Sequence, residues 1–209
     1  MIRVVLCDDH AVVRRGIRDT LAEAVDIQVV GEASSYAEVR EQLRKTPCDV
    51  LVLDLNMPGR GGMEVLSSLG ESGATVKVLV VSMYPEDQYA LRCLRAGAKG
   101  YLSKAGDPEE LVRGVRTVAQ GRNYVTPEVA QMLVDSLAKP AQESLHAALS
   151  ERELQTVVKI ASGKRLSDIA EELMLSPKTV SVYRTRALEK LNLGNNAELT
   201  VYAIRNGLV

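Results

Sequence analysis

The chain has 209 residues, of which 46% are hydrophobic and 25% charged, which excludes a disordered or low-complexity polypeptide and leaves room for one large or two small globular domains. The net charge of −1 excludes a uniformly cationic surface, but it hides an asymmetry: 17 Lys and Arg against 20 Asp and Glu over 1–144, and nine against seven over 145–209. Cys7, Cys48 and Cys93, odd in number and set in apolar surroundings, read as reduced core thiols rather than a disulfide framework or metal site. No apolar run reaches transmembrane length and no charged leader precedes the opening MIRVVLC, so a cytoplasmic protein without a membrane partner is expected.

Residues 2–7 form the first predicted strand, which ends in Asp8-Asp9-His10. Adjacent carboxylates repel unless solvent or a cation relieves them; the bland reading is an exposed Asp9 capping the amphipathic stretch 11–24. A strand over 27–33 and a helix over 36–45 follow, closed by Pro47. Residues 50–53, VLVL, read as a strand buried on both faces of a parallel sheet. Asp54 follows directly, and Met57-Pro58-Gly59 breaks the strand. Open α/β sheets place their ligand crevice at the carboxyl ends of such strands, so Asp54 reads as a metal ligand, a nucleophile or a plain turn residue. With Asp8 and Asp9 it makes an acidic triad, and oxygen-only ligands select a hard ion such as Mg²⁺.

A short helix over 61–69 precedes a doubly buried strand over 76–81 that ends at Ser82. A helix over 87–96, stopped by Gly97, leads to a strand over 100–103 that ends at Lys104. The hydroxyl can donate to an oxyanion and the ammonium can bond a phosphate oxygen, although a turn-forming serine and a solvated lysine are commoner. Asp107-Pro108-Glu109-Glu110 opens the next helix with a cap, a first-position proline and acidic first-turn residues. Five strands alternating with five helices over about 120 residues predict a doubly wound parallel sheet with all the polar residues just named at its carboxyl edge.

LCDDH (6–10), VLVLDLNMPG (50–59), VLVVSMYPED (78–87) and AGAKGYLSK (96–104) resemble, in order, the four motif blocks of the flavodoxin-like receiver domain of bacterial two-component response regulators. The resemblance implies that Asp54 is the phosphoacceptor and that Ser82 and Lys104 bond the phosphoryl oxygens. It makes Asp9 a direct Mg²⁺ ligand, Asp8 one acting mainly through water, and Asp54 and the Asn56 backbone carbonyl further ligands. Tyr101 becomes a rotating switch, turning into space opened as Ser82 moves toward the phosphoryl group. Two residues depart from the pattern. Ala105 follows Lys104 where receivers commonly have proline, so a cis bond there would cost roughly 3–4 kcal/mol. Met83 is bulkier than the usual residue after the switch hydroxyl and is expected to narrow access to Asp54. His10 and His146, lone residues in capping and linker contexts, are given no catalytic role.

Gly121-Arg122-Asn123 reads as a stop and turn, Thr126-Pro127-Glu128 as a fresh helix start, and KPAQES (139–144) as a polar linker. The expected organisation is a first domain over 1–121, a linker over 122–145 with a helix at 127–137, and a second domain over 146–209. In the second domain the period is helical throughout. Ser150 and Glu153 make a capping box, with Leu154, Val157, Val158 and Ala161 on one apolar face. A short helix over 166–173, the turn Met174-Leu175-Ser176 and a longer helix over 177–191 read as helix-turn-helix. In the longer helix Val180, Ala187, Leu188 and Leu191 can pack inward, and four basic residues stand against one acidic over 177–190. A merely solvated face would mix its signs in i to i+4 pairs, so double-stranded DNA is the expected partner.

Residues 149–208 resemble the LuxR-type helix-turn-helix domain nearly end to end, and the two halves together resemble the NarL/FixJ family of response regulators. That resemblance puts Lys178, Ser181, Val182 and Arg186 toward the major groove and Thr179, Tyr183, Arg184 and Lys190 on phosphates. Helix 197–206, carrying Leu199, Val201, Tyr202 and Ile204, corresponds to the family's dimer helix, so two copies would read half-sites about one helical turn apart. The expected protein is a transcriptional regulator, not an enzyme, phosphorylated on Asp54 by a sensor histidine kinase and binding DNA as a homodimer when phosphorylated, with RNA polymerase as a further partner. The alternatives are an aspartyl-nucleophile phosphohydrolase, which would want an acid where Asn56 stands, and a phosphate-independent DNA binder.

Overall fold

A computed structural model describes residues 1–138 and 145–209; the expected linker 139–144 lies outside them. The chain divides into two compact units, Met1–Ala138 and Lys139–Val209.

In the first unit strands β1 (Ile2–Cys7), β2 (Ile27–Ala33), β3 (Val50–Leu53), β4 (Lys77–Ser82) and β5 (Gly100–Ser103) alternate with helices α1 (Ala11–Ala22), α2 (Tyr36–Lys45), α3 (Gly62–Glu71), α4 (Glu86–Arg95) and α5 (Pro108–Ala119). All strand pairs are parallel, in the order β2-β1-β3-β4-β5. The order reverses direction between β1 and β3, which makes the carboxyl ends of those two strands the switch point where such sheets bind ligands. Alternation along the strands sends Val4, Leu6, Val50, Val52, Leu79, Val81 and Leu102 to one face, against Leu21 of α1 and Leu111, Val115 and Val118 of α5. Because helices cover the other face too, all four residues of β3 are buried.

Local signals set the helix ends. The Asp107 carboxylate accepts from the Glu109 N–H at 2.8 Å, with Pro108 opening α5. The cap expected from Asp9 is not made: His10 precedes α1, and no side chain caps that helix. After α5, Gly121 adopts φ +80°, and Tyr124 pairs in parallel with Gly100, its N–H donating to the Lys99 carbonyl at 2.8 Å. A Cβ on Gly100 would lie 2.7 Å from the Tyr124 carbonyl oxygen, so this return strand requires glycine there. Helix α6 (Pro127–Ala138) then packs against α4, with the Thr126 hydroxyl donating to Glu86 Oε2 at 2.7 Å.

The second unit contains a 3₁₀ turn (Leu145–Ala148) and helices α7 (Glu151–Ala161), α8 (Leu166–Glu172), α9 (Pro177–Leu191) and α10 (Asn196–Arg205). The Ser150–Glu153 capping box is complete. Helix α7 packs against α9 and α10, and α8 against α9. The buried residues of α9 are the four with inward spacing, Val180, Ala187, Leu188 and Leu191. Between α8 and α9, Met174 takes a left-handed φ of 54°, and the Ser176 hydroxyl caps α9 by accepting from the Thr179 N–H at 3.1 Å.

Candidate functional site

Strand register brings the acidic residues together. Cys7 pairs with Leu53, and the Asp54 N–H donates to the Cys7 carbonyl at 2.8 Å, which sets Asp8 and Asp54 side by side where β1 and β3 end. Lys104, after β5, reaches across: its Nζ lies 2.7 Å from Asp8 Oδ2 and 2.8 Å from Asp54 Oδ2, and all three side chains are buried. The Lys104 N–H donates to the Ser82 carbonyl, which anchors the lysine's backbone to β4. The Lys104–Ala105 bond is trans, as is every peptide bond among the described residues, so the lysine reaches the carboxylates without the cis geometry considered above.

Burial pushes the Asp54 pKa up, the Lys104 ammonium pulls it back, Asp8 pushes it up again, and a hydrogen bond from the Asn56 backbone pulls it down; the net direction is upward. Asp54 Oδ1 is buried without completing a well-formed hydrogen bond. One ligand atom each from Asp8, Asp9, His10 and Asp54 can be chosen so that all lie within 4.8 Å of one another. Asp54 Oδ1, buried and without a well-formed hydrogen bond, together with the clustered carboxylates beside it fits a divalent cation, which needs few protein oxygens.

The expected switch residues touch. Ser82 and Tyr101 are both buried, and the Tyr101 hydroxyl donates to the Tyr84 carbonyl at 2.8 Å while Ser82 Oγ accepts from the Tyr84 N–H at 3.2 Å. Burial drives the Tyr101 hydroxyl pKa upward, with a hydrogen bond to Ser82 opposing it. The Tyr84 ring stacks on Tyr89 of α4 with centroids 4.6 Å apart. Met83 points to solvent.

In the second unit Lys178, Val182 and Arg186 are exposed on α9, with Thr179, Ser181, Tyr183 and Arg184 half-buried beside them. Arg184 is hydrogen-bonded to Asn196. Lys190 is engaged within the unit, donating to Glu153 Oε2 at 2.6 Å and to the Ala148 carbonyl at 3.2 Å. On α10 Leu199 is fully buried in its own unit, and the Tyr202 hydroxyl meets His146 Nδ1 at 3.0 Å. Val201 and Ile204, 47% and 60% exposed, form the free apolar part of that helix.

Two residues that position the first site carry little sequence signal. A Cβ on Gly62 would stand 2.3 Å from the Asp54 carbonyl oxygen, so only glycine lets α3 begin against the loop that follows β3. His10 lies in the acidic cluster itself, Nδ1 to Asp9 Oδ1 at 2.8 Å, and its adjacency to Asp8-Asp9 was the one available clue.

Known families account for both units. The response regulator receiver domain matches residues 4–116, and the luxR family of bacterial regulatory proteins matches residues 147–203. The chain belongs to the two-component response regulators that join a receiver domain to a LuxR-type domain, the NarL/FixJ family. It is 43% identical to the response regulator UvrY of Escherichia coli over 209 residues, covering all of this chain and 96% of UvrY. It is 42% identical to the response regulator GacA of Pseudomonas protegens, covering all of this chain and 98% of GacA. Among solved structures it is similar to RcsB from Salmonella enterica serovar Typhimurium bound to the rprA promoter in the presence of the phosphomimetic BeF3−. That match has a TM-score of 0.62 at 25% identity and covers 96% of this chain and 97% of RcsB.

Proposed function

We propose that a sensor histidine kinase phosphorylates this regulator on Asp54, with Mg²⁺ held by Asp8, Asp9, Asp54 and the Asn56 carbonyl, and that phosphorylation pairs two copies that bind double-stranded DNA through α9. The observation that carries this reading is the buried Lys104 ammonium bridging Asp8 and Asp54 while Asp54 Oδ1 completes no well-formed hydrogen bond. A carboxylate oxygen so placed attacks in line, forming the new P–O bond as the donor's bond to phosphorus breaks. The Lys104 ammonium neutralises an equatorial oxygen, and a bound Mg²⁺ supplies the remaining positive charge. A groove of about 300 Å³ lined by Val13 and Ile17 of α1 and by Lys104, Pro108 and Leu111 opens beside the cluster, wide enough to seat apolar side chains of the phosphodonor.

The new charge draws in the Ser82 hydroxyl, now tied to the Tyr84 N–H and to Tyr101. Moving it breaks the contacts that hold the loop between β4 and α4, and the readout is the position of that loop and of α4. On the DNA side Lys178, Ser181, Val182 and Arg186 face base edges, with Thr179, Tyr183 and Arg184 on phosphates; the pairing with Glu153 gives Lys190 a smaller share. Val201 and Ile204 supply the apolar dimer contact of α10. Among the described residues no helix is long and apolar enough to cross a membrane, and we place the protein in the cytoplasm with its DNA.

Sedimentation with acetyl phosphate and Mg²⁺ tests the reading. The mass of the wild type doubles and that of Asp54→Asn does not; an equal response in both removes Asp54 as the acceptor.

A further inference from the structure

The start of α6 is fastened to two different elements by residues only two apart. Tyr124 belongs to the sheet: it pairs in parallel with Gly100, and its N–H donates to the Lys99 carbonyl at 2.8 Å. Thr126 belongs to α4, its hydroxyl donating to Glu86 Oε2 at 2.7 Å. Gly100 directly precedes Tyr101 on β5, and Glu86 opens α4 directly after the loop in which Tyr84 bonds both Ser82 and Tyr101. The two anchors therefore stand on opposite sides of the junction that a moving Ser82 disturbs. Thr126 is also built into α6, its carbonyl accepting from the Ala130 N–H at 2.9 Å and its hydroxyl from the Val129 N–H at 3.4 Å, so the helix turns with it.

We propose that residues 124–126 are a fulcrum and α6 a lever, which converts displacement of the first turn of α4 relative to β5 into a swing of the chain that leads to the second unit. The proposal rests on the reading of Asp54 as phosphoacceptor given above. Two residue steps span at most about 7 Å. With Tyr124 held to the sheet, any movement of Glu86 that keeps its bond must be taken up at Val125 and passed to α6. Length sets the gain. The 12 residues of α6 rise about 18 Å, so a tilt of about 10° at the fulcrum carries the far end about 3 Å. That end is Ala138, where the first unit stops and the chain passes to the second. Val129, one turn into α6, is fully buried, which keeps the lever seated near its fulcrum while its later turns carry the exposed Val134 and Asp135. The competing account is a helix that only covers the β5 side of the sheet and stays where it is.

Pulsed electron–electron double resonance on the full chain separates the two. Nitroxides on Asp19→Cys of α1 and Asp135→Cys of α6, both exposed positions, are placed in a Cys48→Ser background, since Cys7 and Cys93 are buried. The labelled chain is diluted with unlabelled chain, and intact mass reports phosphorylation. With acetyl phosphate and Mg²⁺ the distance shifts by about 2 Å or more, as a tilt of about 10° demands at that depth of the helix, and Asp54→Asn shows no shift. Glu86→Gln, which keeps an oxygen for the Thr126 hydroxyl, retains the shift. Glu86→Ala, which leaves the cap of α6 intact, is phosphorylated equally and loses more than half of it. A phosphorylated wild type with an unchanged distance, or a full shift in Glu86→Ala, overturns the lever and leaves Asp54 as the acceptor. A wild type that takes up no phosphoryl group overturns the phosphoacceptor reading and the lever with it.

Discussion

Asp54 is held as a carboxylate against the cost of its own burial, and its stability term has a definite sign. Its pKa in the folded chain lies above the ordinary value of 3.8, so over that interval the folded state binds a proton that the unfolded state has released. Stability contributed at low pH is therefore lost as pH rises through the raised value. Asp54→Asn removes that loss: without divalent cations its thermal midpoint at pH 7 should exceed that of the wild type, and the difference should close as pH falls toward 3.8. Equal midpoints across the range would show that Lys104 already offsets the burial cost. Gly62 makes the complementary case, because an added methyl meets backbone rather than a flexible side chain. Gly62→Ala should destabilise the first unit by about 1–3 kcal/mol, as overpacking does, and slow acyl-phosphate formation on Asp54; calorimetry and phosphorylation kinetics read the two effects separately. The residues at the strand ends were legible because a polar side chain closes each apolar run. Gly62 was not, since the need for glycine arises from a fold that returns α3 to Asp54 eight residues later.

At the scale of elements, the 3.6-residue period of α9 was enough to name its buried side before any coordinates. The same spacing could not say what the polar side does. Lys190 has the sequence position of a phosphate contact, yet its ammonium ties α9 to the capping box of α7 through Glu153. The Glu153 carboxyl sits below its ordinary pKa: burial pushes it up, and hydrogen bonds from Lys190 and Ser150 outweigh that push. Glu153→Ala removes its half of the capping box, the bond accepted from the Ser150 N–H, together with this cross-link, and should cost the second unit about 1–2 kcal/mol, seen as a lower midpoint in urea. Lys190→Ala, which leaves the cap in place, should cost less. Helix α6 shows the opposite limit: proline and threonine announced its start, but nothing in its sequence tied it to α4.

For the whole molecule, the division of labour between a slightly acidic first part and a slightly basic second part was visible in charge counts alone. What the counts could not rank is which cations are free to release counterions from DNA. Arg184, set on a phosphate in the proposed interface, bonds a neutral amide, Asn196, so Arg184→Ala should lower the slope of log affinity against log salt by about 0.9, whereas Lys178→Ala and Arg186→Ala, on base edges, should mainly relax sequence preference. Lys190→Ala, with its ammonium committed to Glu153, should change that slope by clearly less. A filter-binding series over several salt concentrations gives both slopes; equal losses would mean that Lys190 leaves Glu153 when DNA arrives.

The return of Tyr124 beside Gly100 carries a practical consequence for any fragment of this chain. Residues beyond α5 close the β5 side of the sheet, which would otherwise offer unpaired N–H and C=O groups as a template for a foreign strand. A receiver fragment truncated after Gln120 exposes that template, and one ending at Ala138 does not. Light scattering at rising concentration should find the shorter fragment aggregating and the longer one monodisperse.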